Sequence, residues 1–335
     1  MADKRGKVYN RIYDEQEWQE VNQENKNIME DFLEEYKQRK IKPSTINQYF
    51  NDLRIVLLYI KRKLNNKCIF ELGKKDFRRF SIWLSEDLKV SNARSNRLMS
   101  AVRSLLTYCE DDDDYDYENN VAKKVKGLPK EPIRTNEDDF FLSYSDVMEL
   151  REELLKRDKL YHAMLLMLFF DSGARRGEVY QVEKHGLLDS NKTNVVTGKR
   201  GKTFRLIYLD DTKELMRQFL EQRGEDDIDA LLVMGKDENK RRVSYESIYD
   251  HVVYMSKVFS EIKGKKVEFF PHSFRHSRIE CLLQGEDLRL LDKDGKPRKY
   301  TLEECMVFVN HSSTDTTKSY AKDHSEDVIN NMFGF

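Results

Sequence analysis

Apolar residues recur at helical spacing from about residue 22 onward. Ile28, Phe32 and Tyr36 share one face of a first helix. Pro43-Ser44-Thr45 reads as the start of a second, with Ser44 or Thr45 as its cap. Its apolar stripe is Ile46, Tyr49, Leu53, Val56, Leu57 and Ile60. A third helix holds Phe77, Phe80, Ile82, Trp83 and Leu84, and a fourth, starting near Ser91, holds Leu98, Val102, Leu105 and Leu106. No strand-type alternation interrupts this half. The pattern predicts a compact bundle of four or five helices over residues 21–109, preceded by a polar, flexible tail over 1–20.

The periodicity then stops. Residues 110–118 read EDDDDYDYE, and Pro129 and Pro132 follow in a weakly patterned stretch. Residues 110–140 are expected to be an acidic interdomain linker. Helical spacing resumes at about 144–157 and 160–171, the second strongly apolar. Two short strands are predicted at 194–197 and 204–209, joined by Gly198-Lys199-Arg200-Gly201-Lys202 as a hairpin. Helices are expected at about 212–223, 244–262, 272–284 and 301–309, with residues 287–299 a loop insertion. The second domain therefore spans 141–335 and ends in a short apolar tail, 321–335.

Composition narrows the class. At 335 residues the chain is long enough for two separate cores. No run of 18 apolar residues occurs, so no membrane span is expected. The start, Met1-Ala2-Asp3-Lys4-Arg5, lacks the apolar core of a secretion signal. The four cysteines are widely spaced, which points to reduced thiols in a cytoplasmic protein and to no metal cluster. Net charge is −1, but it is unevenly placed. Between Lys89 and Cys109 there are Lys89, Arg94, Arg97 and Arg103 and no acid. Arg94, Arg97 and Arg103 are therefore candidates for contacts to a polyanion.

The candidate chemistry lies in the second half. Arg175 follows an apolar helix at the start of a new one, and Glu178 sits three residues on, placed to brace a guanidinium. His272 and Arg275 are also three apart. His311 opens a Ser/Thr-rich stretch, and Tyr320 lies nine residues later. Two arginines hold an anionic phosphate through paired planar hydrogen bonds. Histidines donate to phosphoryl oxygens or move protons near neutral pH. A tyrosine supplies a nucleophile. In this order the set is a means of attacking a phosphodiester without a metal or a nucleotide cofactor.

These segments resemble the tyrosine recombinase (phage integrase) family. Its T-G-x-R-x-x-E, hairpin lysine, H-x-L-R-H and G-H-S…Tyr motifs correspond to Ser172–Glu178, Gly198–Lys202, His272–His276 and Asn310–Tyr320. The likeness is strong in the second half and weaker over Ser44–Arg54 and Arg94–Ser104. It implies a mainly α protein with a small β-hairpin: a C-shaped clamp of a helical, SAM-like core-binding domain and a mixed α/β catalytic domain. It also implies Arg175, Lys199, His272, Arg275, His311 and Tyr320 as the catalytic set, a 3′-phosphotyrosyl intermediate, and no cofactor. Lys199 as general acid, with Lys202 left to contact DNA, follows the family pattern. The partners implied are double-stranded DNA and three further copies, as a tetramer on two DNA sites with the C-terminal tail docking in trans. The setting implied is the nucleoid.

Three departures stand out. Ser172 replaces the usual Thr, Asn310 replaces the usual Gly, and the gap from Arg275 to His311 is long. They keep two alternatives open: a non-catalytic DNA-binding relative, and a type IB topoisomerase-like activity. No arm-binding domain is evident before residue 21, which favours a simple Xer-like or transposon-type recombinase serving integration or excision.

Overall fold

The computed structural model describes residues 7–129, 140–235 and 239–310. The chain divides into two compact units, 1–133 and 134–335. The first comprises α1 (Lys7–Ile12), α2 (Glu15–Gln19), α3 (Gln23–Gln38), α4 (Pro43–Lys63), α5 (Lys74–Ile82) and α6 (Asn92–Asp111). Local signals explain the starts. Asn22 caps α3 by accepting from the Glu24 amide, and Ser91 caps α6 by accepting from Arg94 at 3.3 Å. Pro43 stands in the first turn of α4, where a missing N–H is harmless. α4 packs against α1, α2, α3 and α6, and Phe32, Leu53, Leu57, Leu98, Val102 and Leu105 are fully buried between these helices.

The third predicted stripe is broken. Ile82 is exposed while Leu84 is buried, because a π turn over Trp83–Asp87 follows α5 and rotates the later residues. The start of the chain also differs from the expected loose tail, since residues 7–19 supply α1 and α2, both packed on α4. Arg54 of α4 accounts for this. Its guanidinium lies 3.7 Å from the Tyr13 ring centre, 4.9 Å from Trp18 and 4.8 Å from Phe50, and it donates to the Tyr9 hydroxyl at 2.7 Å. Arg62 adds bonds to Glu17 and to the Ile12 carbonyl. Hydrophobic periodicity cannot reveal a latch built on a cation and aromatic faces. Arg54→Ala is expected to release α1 and α2 at a cost of about 2–3 kcal/mol. Limited proteolysis should then cut within residues 7–20 while the remaining bundle resists; unchanged protection would refute the latch.

The acidic segment, expected as linker, begins by folding back onto the first unit. Asn120 is buried and donates to the Arg103 carbonyl and the Thr107 hydroxyl. Tyr115 donates to Asp31, and Tyr117 stacks on Phe70 with ring centres 4.7 Å apart. The unit boundary, 133/134, falls inside the predicted 110–140 range.

The second unit comprises α7 (Tyr144–Lys156), α8 (Leu160–Ser172), the single turn α9 (Arg176–Val179), β1 (Lys192–Thr197), β2 (Thr203–Ile207), α10 (Asp210–Arg223), β3 (Val233–Met234), β4 (Arg241–Arg242), α11 (Tyr245–Lys263), α12 (Pro271–Gln284) and α13 (Leu302–Phe308). α8 is apolar all round and buried from Ala163 to Ser172, so α7, α10, α11 and α12 pack around it. β1 and β2 form the antiparallel hairpin, with Val195 opposite Arg205 and Thr197 opposite Thr203. β3 and β4 form a second pair that the sequence pattern did not predict, being too short at two residues each to show alternation. Among the described residues no helix is long and apolar enough to cross a membrane.

Candidate active site

The site grows from the C-terminal end of α8. Gly173 ends this helix in the left-handed conformation, φ +55°, which favours glycine. The Ser172 hydroxyl donates to the Leu168 carbonyl and accepts from the Ala174 amide at 3.3 Å. The turn therefore depends on a hydroxyl that Thr shares, which explains why Ser serves at this position. The turn delivers Arg175 as the N-cap of α9. Glu178 accepts from the Arg175 amide at 2.8 Å with one oxygen and from its guanidinium at 2.9 Å with the other. The carboxylate is nearly inaccessible, whereas the Arg175 side chain keeps 29% of its exposure. One acid thus caps the turn and orients the guanidinium.

α12 brings the second arginine to the same turn. Arg275 is 1% exposed and donates to the Gly173 carbonyl at 2.8 Å and to the Val309 carbonyl. These bonds fix the plane of a guanidinium whose burial is costly without strong partners. Ser172, Ala174, Glu178, Phe204, Arg275 and Val309 line one narrow cleft. His272, in the first turn of α12, is exposed, with its ring 5.2 Å from that of His276.

The hairpin approaches the site at its turn end. A Cβ on Gly198 would lie 2.8 Å from Phe204 Cε1 and 3.2 Å from Glu178 Oε1, so only a bare backbone passes the carboxylate this closely. Lys199 follows at once, exposed, in a tight turn over Lys199–Gly201. Lys202 is also exposed, and its carbonyl accepts from the Gly198 amide at 2.7 Å. Geometry thus puts Lys199 next in the chain to the residue touching Glu178, and Lys202 three further on.

Val309, which holds Arg275, is followed by Asn310 with φ +56°. Asn and Gly are the residues that enter this conformation at low cost. The Asn-for-Gly departure is therefore a conformational equivalent and no lesion. Asn310→Gly is expected to leave stability within about 0.5 kcal/mol, and Asn310→Val to lower it by about 1–2 kcal/mol. Thermal unfolding of both variants checks this; equal stability would remove the backbone explanation. His311, Tyr320 and the tail 321–335 lie outside the described residues.

The candidate polyanion contacts in the first unit are already engaged. Arg94 and Arg97 both pair with Asp52, a nearly buried carboxylate, at 2.7 and 3.1 Å. Arg103 donates to the Ala122 and Val125 carbonyls, which counts against it as a DNA contact. Periodicity placed these arginines on a face but not against their partners. Conversely, sequence reasoning missed a cluster beside Arg175. Arg176 lies 3.8 Å from the Tyr245 ring centre and Arg242 lies 3.9 Å from that of Tyr180. The two tyrosines meet edge to face at 5.8 Å, and Arg241 and Arg242 are exposed. Arg176, adjacent to the motif arginine, was the available signal.

Behind the site is a buried ionic network. Arg289 reaches Asp171 at 2.7 Å, Asp211 at 2.8 Å and Asp287 at 2.9 Å, and Arg278 of α12 pairs with Asp287 at 2.5 Å. Burial works against ionisation of Asp287, but Arg289 and Arg278 override it and bring its pKa down to about 2. A depressed carboxylate pKa stabilises the fold above its ordinary value of 3.8, and that contribution is lost as pH falls through about 2.

Residues 141–295 match the phage integrase family. Over 288 residues the chain is 28% identical to the SPbeta prophage-derived recombinase-like protein YomM of Bacillus subtilis, spanning 82% of this chain and 83% of that protein. It is 24% identical over 313 residues to tyrosine recombinase XerC of Treponema denticola, spanning 87% and 92% of the two chains. Among solved structures, XerH site-specific recombinase bound to palindromic difH substrate, a post-cleavage complex, matches with a TM-score of 0.63 at 16% identity. The match spans 87% of this chain and 81% of that one, and it shows a shared fold.

Proposed function

We propose that this chain is a tyrosine site-specific recombinase of the phage integrase family, to which it is similar, and that it cuts and rejoins duplex DNA through a 3′-phosphotyrosyl intermediate. What supports this reading is the convergence of Arg175 and Arg275 on one turn, each oriented by its own hydrogen bonds. Two fixed guanidiniums suit the non-bridging oxygens of a phosphodiester and favour the charge that builds on them in the transition state.

In this mechanism the Tyr320 oxygen attacks phosphorus and the 5′ oxygen leaves. Lys199 protonates that oxygen, His272 assists proton transfer, and His311 donates to a non-bridging oxygen. Glu178 holds Arg175 in place. The phosphotyrosyl bond conserves the energy of the broken bond, and a 5′ hydroxyl attacks it to rejoin DNA, so the cycle needs no nucleotide. Four copies act on two DNA sites, with the tail 321–335 of one copy docking on the next. The setting is the cytoplasm, at the nucleoid, and the task is integration or excision of a mobile element. Phosphate contacts come from Lys202 and from the Arg176–Arg242–Tyr245 cluster, with Arg94 and Arg97 contributing where Asp52 leaves them donors to spare.

The test is incubation with nicked duplexes tiled from the DNA flanking its own gene, in excess chelator. A denaturing gel should show a covalent protein–DNA adduct. Binding without any adduct would identify a non-catalytic relative. Relaxation of supercoiled plasmid by a monomer, with no strand exchange, would identify a topoisomerase.

A further inference from the structure

The long gap between Arg275 and His311 contains Asp287 and Arg289, so the stretch expected to be a surface loop carries two arms of the buried network. Its tip is solvent-side: Leu291 pairs with Pro297 across a tight turn, and residues 293–299 are exposed. Its base is not. Asp287 is 2% exposed, and Arg289 keeps only 17% of its side-chain exposure.

The partners of Arg289 lie on separate elements. Asp171 is the penultimate residue of α8, two before the glycine whose carbonyl holds Arg275 and four before Arg175. Its other oxygen accepts from the Leu209 amide at 2.9 Å and from the Thr212 hydroxyl, which ties in the chain between β2 and α10. Asp211, at the start of α10, takes both of its contacts from one Arg289 nitrogen and also pairs with Arg151 of α7. Asp287 takes the Arg289 Nε and the second terminal nitrogen, and it also receives Arg278, one helical turn beyond Arg275 on α12. The Arg278 stem packs where a Gly173 side chain would be, 3.6 Å from that Cβ position, and its guanidinium lies 5.1 Å from the Phe170 ring centre. A continuous path of charge-assisted bonds therefore runs from the Arg175 turn through Asp171, Arg289, Asp287 and Arg278 to the helix bearing Arg275.

We propose that Arg289 is a positioning residue for strand cleavage: by bridging Asp171, Asp211 and Asp287 it sets the placement of the Arg175 turn relative to helix α12. The inference rests on the recombinase reading of the site. Three observations favour positioning over plain stability. The guanidinium uses its planar fork on three carboxylates, a geometry an ammonium cannot reproduce. The three arginines Arg151, Arg278 and Arg289 balance the three aspartates, so the cluster is satisfied without an outside ion. Both supported elements carry an arginine proposed above to hold the phosphate, Arg175 and Arg275, and displacement of either by about 1 Å is enough to slow a reaction about 100-fold.

Arg289→Lys keeps the charge and is the primary variant. Arg289→Met combined with Asp171→Asn removes one charge of each sign and guards against a folding failure of the first. DNA affinity, the single-turnover rate of adduct formation on the nicked duplex, and the fraction of bound enzyme that finally reacts are measured for each. Affinity within about threefold of the parent, an unchanged reacting fraction and a rate lowered by about tenfold or more are expected. A parental rate with a reduced reacting fraction would mean that the network only holds the fold, and the proposal would fall; so would parental values throughout. If the parent itself forms no adduct, the recombinase reading fails first and takes the positioning role with it.

Discussion

Tyr320→Phe is expected to bind cognate DNA as tightly as the parent and to form no covalent adduct. The change removes one oxygen and leaves an isosteric ring. The groups proposed to grip the phosphate, Arg175 and Arg275, are held by Glu178 and by the Gly173 and Val309 carbonyls. Binding is therefore preserved while the nucleophile is lost. A loss of at least about 10³-fold, equivalent to ~4 kcal/mol of transition-state stabilisation, should be measured on the nicked substrate. An adduct formed by the Phe variant at parental rate would mean that another side chain attacks, and Tyr320 would lose its role.

Arg275→Lys is expected to be nearly as damaging to cleavage, with a further penalty in stability. The parent guanidinium serves two carbonyls on separate segments, and in the proposed reaction it also holds the phosphate. A lysine ammonium carries three donors on a single atom and cannot span Gly173 and Val309 in one plane. One buried carbonyl should be left unsatisfied, at about 1–3 kcal/mol. The two-pronged phosphate contact should be lost as well, lowering the single-turnover rate by about 10²–10³-fold. Thermal unfolding separates the two effects: a rate loss in protein shown to be folded at the assay temperature assigns Arg275 to the reaction. A stable variant cleaving at the parental rate would remove it from the catalytic set.

Strong periodicity made the large elements legible. α4, α6 and α8 carry apolar stripes or a continuous apolar run, and each was readable because burial of those side chains is what makes the helix stable. The candidate residues were legible for a different reason: the proposed phosphoryl-transfer site needs particular functional groups, and those groups stand out by residue type and chain order. Weak local signals were misread. Residues 7–20 looked like a tail because α1 and α2 are short and held by Arg54, and residues 112–129 looked like a spacer because their anchors, such as Tyr117 on Phe70 and the carbonyls held by Arg103, follow no helical or strand period. The same limit applies to Arg94, Arg97 and Arg103, whose partners lie tens of residues away in sequence or in a non-periodic segment.

Sequence alone determined the two-part organisation, the hairpin, the family resemblance and the identity of the candidate chemical groups. Tertiary structure decided how those groups are held. That Asn310 is a substitute for Gly follows from a positive φ, which no composition reveals. That Ser172 suffices follows from a hydroxyl bonded to its own helix end. That the 287–299 stretch begins inside the protein follows from Asp287 pairing with Arg278 and from Arg289 meeting Asp171, 118 residues away. Helix periodicity and motif order are properties of neighbours along the chain, so they survive in the sequence. Ion pairs between distant segments are properties of packing and exist only once the chain has folded.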